Sequence, residues 1–140
     1  MTCSRWIGLP VAALVLACGG KQMPVLGQAK ICAEPNDKEL CPAHEEVLPH
    51  GVDAIYYSVD VNGDLEGLEF QTEFYNGNRL LSRKDREPLK LKKSSDYALG
   101  NISSETPFAK GHYTFVARLI KQNNSQYTHE EVIRAKFDIE

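Results

Sequence analysis

The sequence predicts an all-β protein, a two-layer antiparallel sandwich of about seven strands carried by residues 51–140. Three observations point there. Apolar and polar residues alternate along several runs after Val52, turn signals rich in Gly, Asn and Ser separate those runs, and no segment sustains a helical period. The chain has 140 residues with 16 basic and 19 acidic side chains, a mild negative balance that does not suggest a nucleic-acid role.

The N-terminus has a different character. Residues 1–17 read as a secretory signal: Arg5 supplies the positive charge, an apolar run from Trp6 to Ala17 follows, and Gly19-Gly20 ends it. That run is too short for a transmembrane helix. Its last residues, Leu14-Val15-Leu16-Ala17-Cys18, resemble the lipobox of bacterial lipoproteins, in which a small residue precedes the cysteine that receives lipid. Leu16 is bulkier than that pattern usually has at its position. The resemblance implies a mature protein that begins at Cys18, carries acyl chains such as palmitate on its sulfur and amine, and sits in the lipid membrane of the cell envelope. Gly19 after the cysteine is permissive for the outer membrane.

Four cysteines are present. With Cys3 removed in the signal and Cys18 used by lipid, Cys32 and Cys41 remain, and in an oxidising envelope they are expected to form a disulfide. A competing metal reading takes Cys32, Cys41, His44 and His50 as soft ligands, but their spacing fits no zinc template. Residues 18–50 are rich in Gly, Pro, Gln and acids without sustained periodicity, and read as a lipid-anchored tether leading into a disulfide-stapled loop or a first short strand.

From Val52 onward the strands follow in order. In "DAIYYSVDV", Ile55, Tyr57, Val59 and Val61 alternate with polar neighbours. In "LEFQTEFY", Leu68, Phe70, Thr72 and Phe74 alternate with Glu69, Gln71, Glu73 and Tyr75, so one face is apolar and the other wet. Between them "DVNGDLEG" spaces oxygen side chains like a calcium loop. Counted from Asp60, however, Leu65 and Gln71 stand where such a loop needs Gly and Glu, so the segment reads as the hairpin turn joining two core strands. Asn76-Gly77 signals a second hairpin, into "NRLLSR". "PLKLK" and a loop-prone "SSDYALGNISSETP" come next, then two long strands that present Tyr113, Phe115, Ala117 and Leu119, and Ile133, Ala135, Phe137 and Ile139.

The run "AKGHYTF" at 109–115 resembles the start of the F strand in immunoglobulin-like domains, where a Gly-x-Tyr step forms a tyrosine corner. Phe74 falls where such domains put the strand C tryptophan, Tyr57 or Val59 would fill the strand B cysteine position, and Phe115 replaces the second cysteine. The resemblance, from Asp53 to Glu140, implies an immunoglobulin-like or fibronectin-III-like sandwich without the intersheet disulfide, of the kind found in bacterial lipoproteins. It supports fold more than function.

Chemistry is sparse. No nucleophile elbow, phosphate loop or His-Glu-x-x-His motif occurs, and no catalytic, cofactor or metal residues are expected. His112 should lie opposite Tyr113 and be exposed. Glu66, Glu69 and Glu73 are expected on a solvated sheet face. The strongest feature for partner contact is the basic stretch with Arg83, Lys84, Arg86, Lys90, Lys92 and Lys93, which suits an acidic or phosphate-bearing surface or guards an edge strand against pairing. The expected function is that of a non-enzymatic binding or adaptor subunit of an envelope protein assembly. The alternative is a small lipoprotein inhibitor or exclusion factor acting through a protruding "SSDYALGNISSETP" loop.

Overall fold

The computed structural model describes residues 25–62, 68–88, 97–124 and 127–140. Among them are eight strands and no helix: β1 (Leu26–Cys32), β2 (Val47–Leu48), β3 (Ala54–Val61), β4 (Leu68–Asn76), β5 (Arg79–Pro88), β6 (Tyr97–Ser103), β7 (Gly111–Asn124) and β8 (Tyr127–Ile139). They form a three-stranded sheet in the order β1-β3-β6 and a five-stranded sheet in the order β2-β8-β7-β4-β5. All pairings are antiparallel except β2 with β8.

The alternation seen in the sequence decides which side of each strand meets the other sheet. Ile55, Tyr57, Val59 and Val61 of β3 are buried, and so are Leu68, Phe70, Thr72 and Phe74 of β4 and Tyr113, Phe115, Ala117 and Leu119 of β7. The two sheets meet through aromatic rings. Tyr57 from the first sheet stacks on Phe115 from the second at 4.7 Å between centroids, and Phe74 tilts against Phe115 at 4.9 Å. Such pairs add roughly 0.5–1.5 kcal/mol beyond the area they bury.

Three expectations are corrected. The sandwich does not begin at residue 51: within 18–50, where a tether leading into a stapled loop or a first short strand is expected, β1 and β2 belong to the two sheets, and Leu26, Ala29, Ile31 and Leu48 are buried in the core. A register shift between Leu26 and Ala29 breaks the alternation of β1, and β2 is too short to show one. "YALGNIS" is not loop but β6, paired with β3 from Tyr97 to Ser103. Its core-facing positions are Ala98, Gly100 and Ile102, and the neighbouring Tyr57 ring fills the space at Gly100, so only Ile102 marks that face with a large apolar residue. Finally, β3 and β4, the strands on either side of "DVNGDLEG", belong to different sheets and do not pair with each other as a hairpin. Residues 63–67 themselves lie outside the described residues.

The Asn76-Gly77 turn is as expected: Asn76 pairs with Arg79, Gly77 has φ 61°, and its N–H donates to the carbonyl of His112 at 2.8 Å. Cys32 and Cys41 form a disulfide with Cα atoms 5.6 Å apart. Since Ile31 faces the core, Cys32 faces the outer side of its sheet, and the stapled loop folds over that side. There the Cys41 N–H donates to Ser58 Oγ at 3.4 Å, and Ser58 is buried.

Candidate functional site

Three polar constellations stand out. On the outer face of the five-stranded sheet, Arg83 of β5 lies directly across from Glu73 of β4. Its Nε and Nη2 donate to Glu73 Oε2 at 2.8 and 2.7 Å, and the Tyr75 hydroxyl donates to Glu73 Oε1 at 3.0 Å. Glu73 is thus not on a solvated face as expected: it is only 6% exposed. A carboxylate shielded to this degree needs compensating donors, and a charged, forked guanidinium supplies two from one neighbour. The hydrogen bond to Glu73 raises the Arg83 guanidinium above its ordinary value.

At one end of the sandwich, His112 is exposed as expected and donates from Nδ1 to Asp138 Oδ1 at 2.7 Å. That bond, with the negative charge of Asp138, raises the imidazole above its usual value of 6.5. Tyr113, on the opposite face, is buried and donates to the carbonyl of Ala109 at 2.5 Å, and burial raises its phenol above 10.0.

The third constellation bridges the sheets along β1 and β8. His44 accepts the Ile31 N–H at Nδ1 (3.1 Å), and its Nε2 donates to the carbonyl of Lys136 (2.9 Å). In this arrangement Nδ1 is the accepting nitrogen and Nε2 the donating one. Next to it the Glu45 N–H donates to the Ile31 carbonyl and the Asp138 N–H to the Glu46 carbonyl, both at 2.8 Å, so residues 44–48 stitch one sheet edge to the other. Further along, the Glu131 carboxylate accepts the N–H groups of Val25 and Leu26 at 2.8–3.0 Å. Between these two crossings β1 and β8 leave an open cleft of about 460 Å³. Sequence reasoning missed it, since neither β1 nor the inward-facing Glu131 carries a periodic signal.

Of the basic stretch, Arg83 and Lys84 lie on β5, the outermost strand of its sheet, and Arg83 is committed to Glu73. The Arg86 side chain and Lys90, Lys92 and Lys93 lie outside the described residues, as do Cys18, the signal 1–17 and Glu66. Within the loop assigned to the inhibitor alternative, residues 97–103 form β6, held by β3, and residues 94–96 lie outside the described residues. Among the described residues no group of three or more His, Cys, Asp or Glu side chains is arranged to hold a metal ion. Neither protein-family models nor the curated proteins match this chain.

Proposed function

We propose that the protein is a membrane-anchored envelope lipoprotein whose immunoglobulin-like sandwich is a non-enzymatic binding or adaptor subunit of an envelope protein assembly. The strand order supports the immunoglobulin-like assignment: β1, β3 and β6 correspond to strands A, B and E, and β2, β8, β7, β4 and β5 to A′, G, F, C and C′. The Tyr113 to Ala109 hydrogen bond corresponds to a tyrosine corner, and the stacked Tyr57 and Phe115 rings stand where the intersheet disulfide would be.

The observation that carries the adaptor reading is the distance from anchor to domain. Only residues 19–25 separate Cys18 from the start of β1 at Leu26. Fully extended, that chain spans about 25–30 Å, so lipid on Cys18 holds the sandwich close to the bilayer, within reach of other membrane-bound proteins. The lipid supplies location and the sandwich supplies contact.

Cys18→Ser in the native host tests the anchor. The variant should lose metabolic labelling with palmitate and leave the membrane fraction; retention there would overturn lipidation. Detergent extraction of the wild type should then yield a stoichiometric assembly. Turnover of a cell-wall or lipid substrate by the soluble domain would defeat the binding reading.

A further inference from the structure

We infer that the cleft between β1 and β8 is an acceptor site for an extended, acidic segment of a partner polypeptide. This rests on the binding reading above and gives it a site and a class of partner.

The argument starts from backbone directions. In β8, the Lys136 carbonyl and the Asp138 N–H both point away from β7, because they bond His44 and Glu46. Strand geometry repeats every two residues, so the N–H and C=O of Arg134 and Val132 point the same way. β2 pairs only with Asp138 and Ile139, and among the described residues no strand covers β8 on this side from Glu130 to Lys136. In β1, both backbone groups of Ile31 point away from β3, and the same two-residue repeat turns those of Ala29 toward β8. Two open rows of backbone donors and acceptors therefore face one cleft.

The protein itself shows what such a gap accepts. At the His44 end, its own residues 44–48 enter the same space, with the short strand β2 at Val47–Leu48, and bond Ile31 on one wall through the Glu45 N–H and Asp138 on the other through the Glu46 carbonyl. Past His44 this filling segment ends while the walls continue to the Glu131 crossing. An incoming extended segment would continue this arrangement, with main-chain hydrogen bonds supplying affinity.

Side chains define its chemistry. The floor is Ala29, Ile133 and Ala135, which leaves room for small or β-branched residues at alternate positions. The rim carries Arg134 and Lys136, both exposed, and among the described residues neither has a carboxylate partner. Carboxylates at the other alternate positions would meet these cations.

The test selects a phage-displayed library of linear peptides on the soluble sandwich, then titrates the synthesised peptides. The expected peptides alternate β-branched and acidic residues, slow amide hydrogen exchange at Ala29, Arg134 and Lys136, and bind R134E/K136E at least about tenfold more weakly at low salt. R134Q/K136Q should lie between, and circular dichroism should show both variants folded. Recovery of no peptides, of peptides without acidic bias, or of peptides that protect amides elsewhere overturns the site. A concentration-dependent dimer that protects these amides without peptide overturns it in favour of a second copy of the chain. The adaptor reading is judged separately. An assembly that R134E/K136E retains overturns the cleft alone, whereas a wild-type protein extracted without any partner overturns the adaptor reading.

Discussion

The ring of Tyr57 lies against the backbone of Gly100 on the adjacent strand, so that a Cβ at Gly100 would come within 2.5 Å of the phenol oxygen and 2.6 Å of Cζ. Tyr57 cannot swing aside easily, because its other face stacks on Phe115. Gly100→Ala should therefore overpack the core and destabilise the domain by about 1–3 kcal/mol in chemical denaturation. Adding Tyr57→Leu should recover part of the loss introduced by the alanine, which a purely conformational effect of removing glycine would not allow.

The Tyr113 hydroxyl ties β7 to the chain just before it at Ala109. Tyr113→Phe keeps the stacking on Phe137 at 5.3 Å but loses this bond, and should cost about 1 kcal/mol. Burial raises the phenol above 10.0 in the folded state. Its contribution to stability is thus fully present below pH 10 and lost as pH rises through the folded value. Phenolate absorbance should show a tyrosine that ionises above 10.0, and Tyr113→Phe should remove that step.

His112 gives a pH dependence near neutrality. Its hydrogen bond to Asp138 favours the protonated imidazole, so the folded value lies above 6.5. The contribution is complete below pH 6.5 and disappears as pH rises through the folded value. A proton NMR titration should find His112 above 6.5, and Asp138→Asn should bring it back. Because the ring is 90% exposed, added salt should shrink the difference.

The Cys32–Cys41 bridge closes a short loop over the outer face of the three-stranded sheet. On the chain-entropy estimate, Cys32→Ser with Cys41→Ser should lower stability by about 2.5–3 kcal/mol. Hydrogen exchange should rise first in β1, whose end the bridge secures against β3, and at Ser58. An even rise across both sheets would contradict this local role.

What was readable in the sequence and what was not divide along a physical line. β3, β4, β7 and β8 were visible because each turns one face to the core over many residues, and a period of two then appears directly in residue types. β1 carries a bulge, β2 has two residues, and β6 faces the core with the small Ala98 and Gly100 and only one large apolar residue, Ile102, so burial there leaves a weak apolar pattern. The cysteine pair was expected from the count of cysteines left for an oxidising compartment. The fate of Glu73 was not, since alternation assigns a residue to a face but cannot say that Arg83 and its neighbours will shield it there.

By itself, then, the sequence determined the all-β class, the apolar faces of four strands, the Asn76-Gly77 turn and the pairing of Cys32 with Cys41. These follow from local periodicity, turn chemistry and redox arithmetic, each contained in a short stretch of chain. Tertiary structure alone decided that residues 26–48 belong to the sandwich, that Tyr57 meets Phe115 across it, and that β1 and β8 run side by side with a cleft between them. Those relations join residues up to 106 positions apart, as in the Glu131 carboxylate that holds Val25, and no local pattern encodes a partner at that distance.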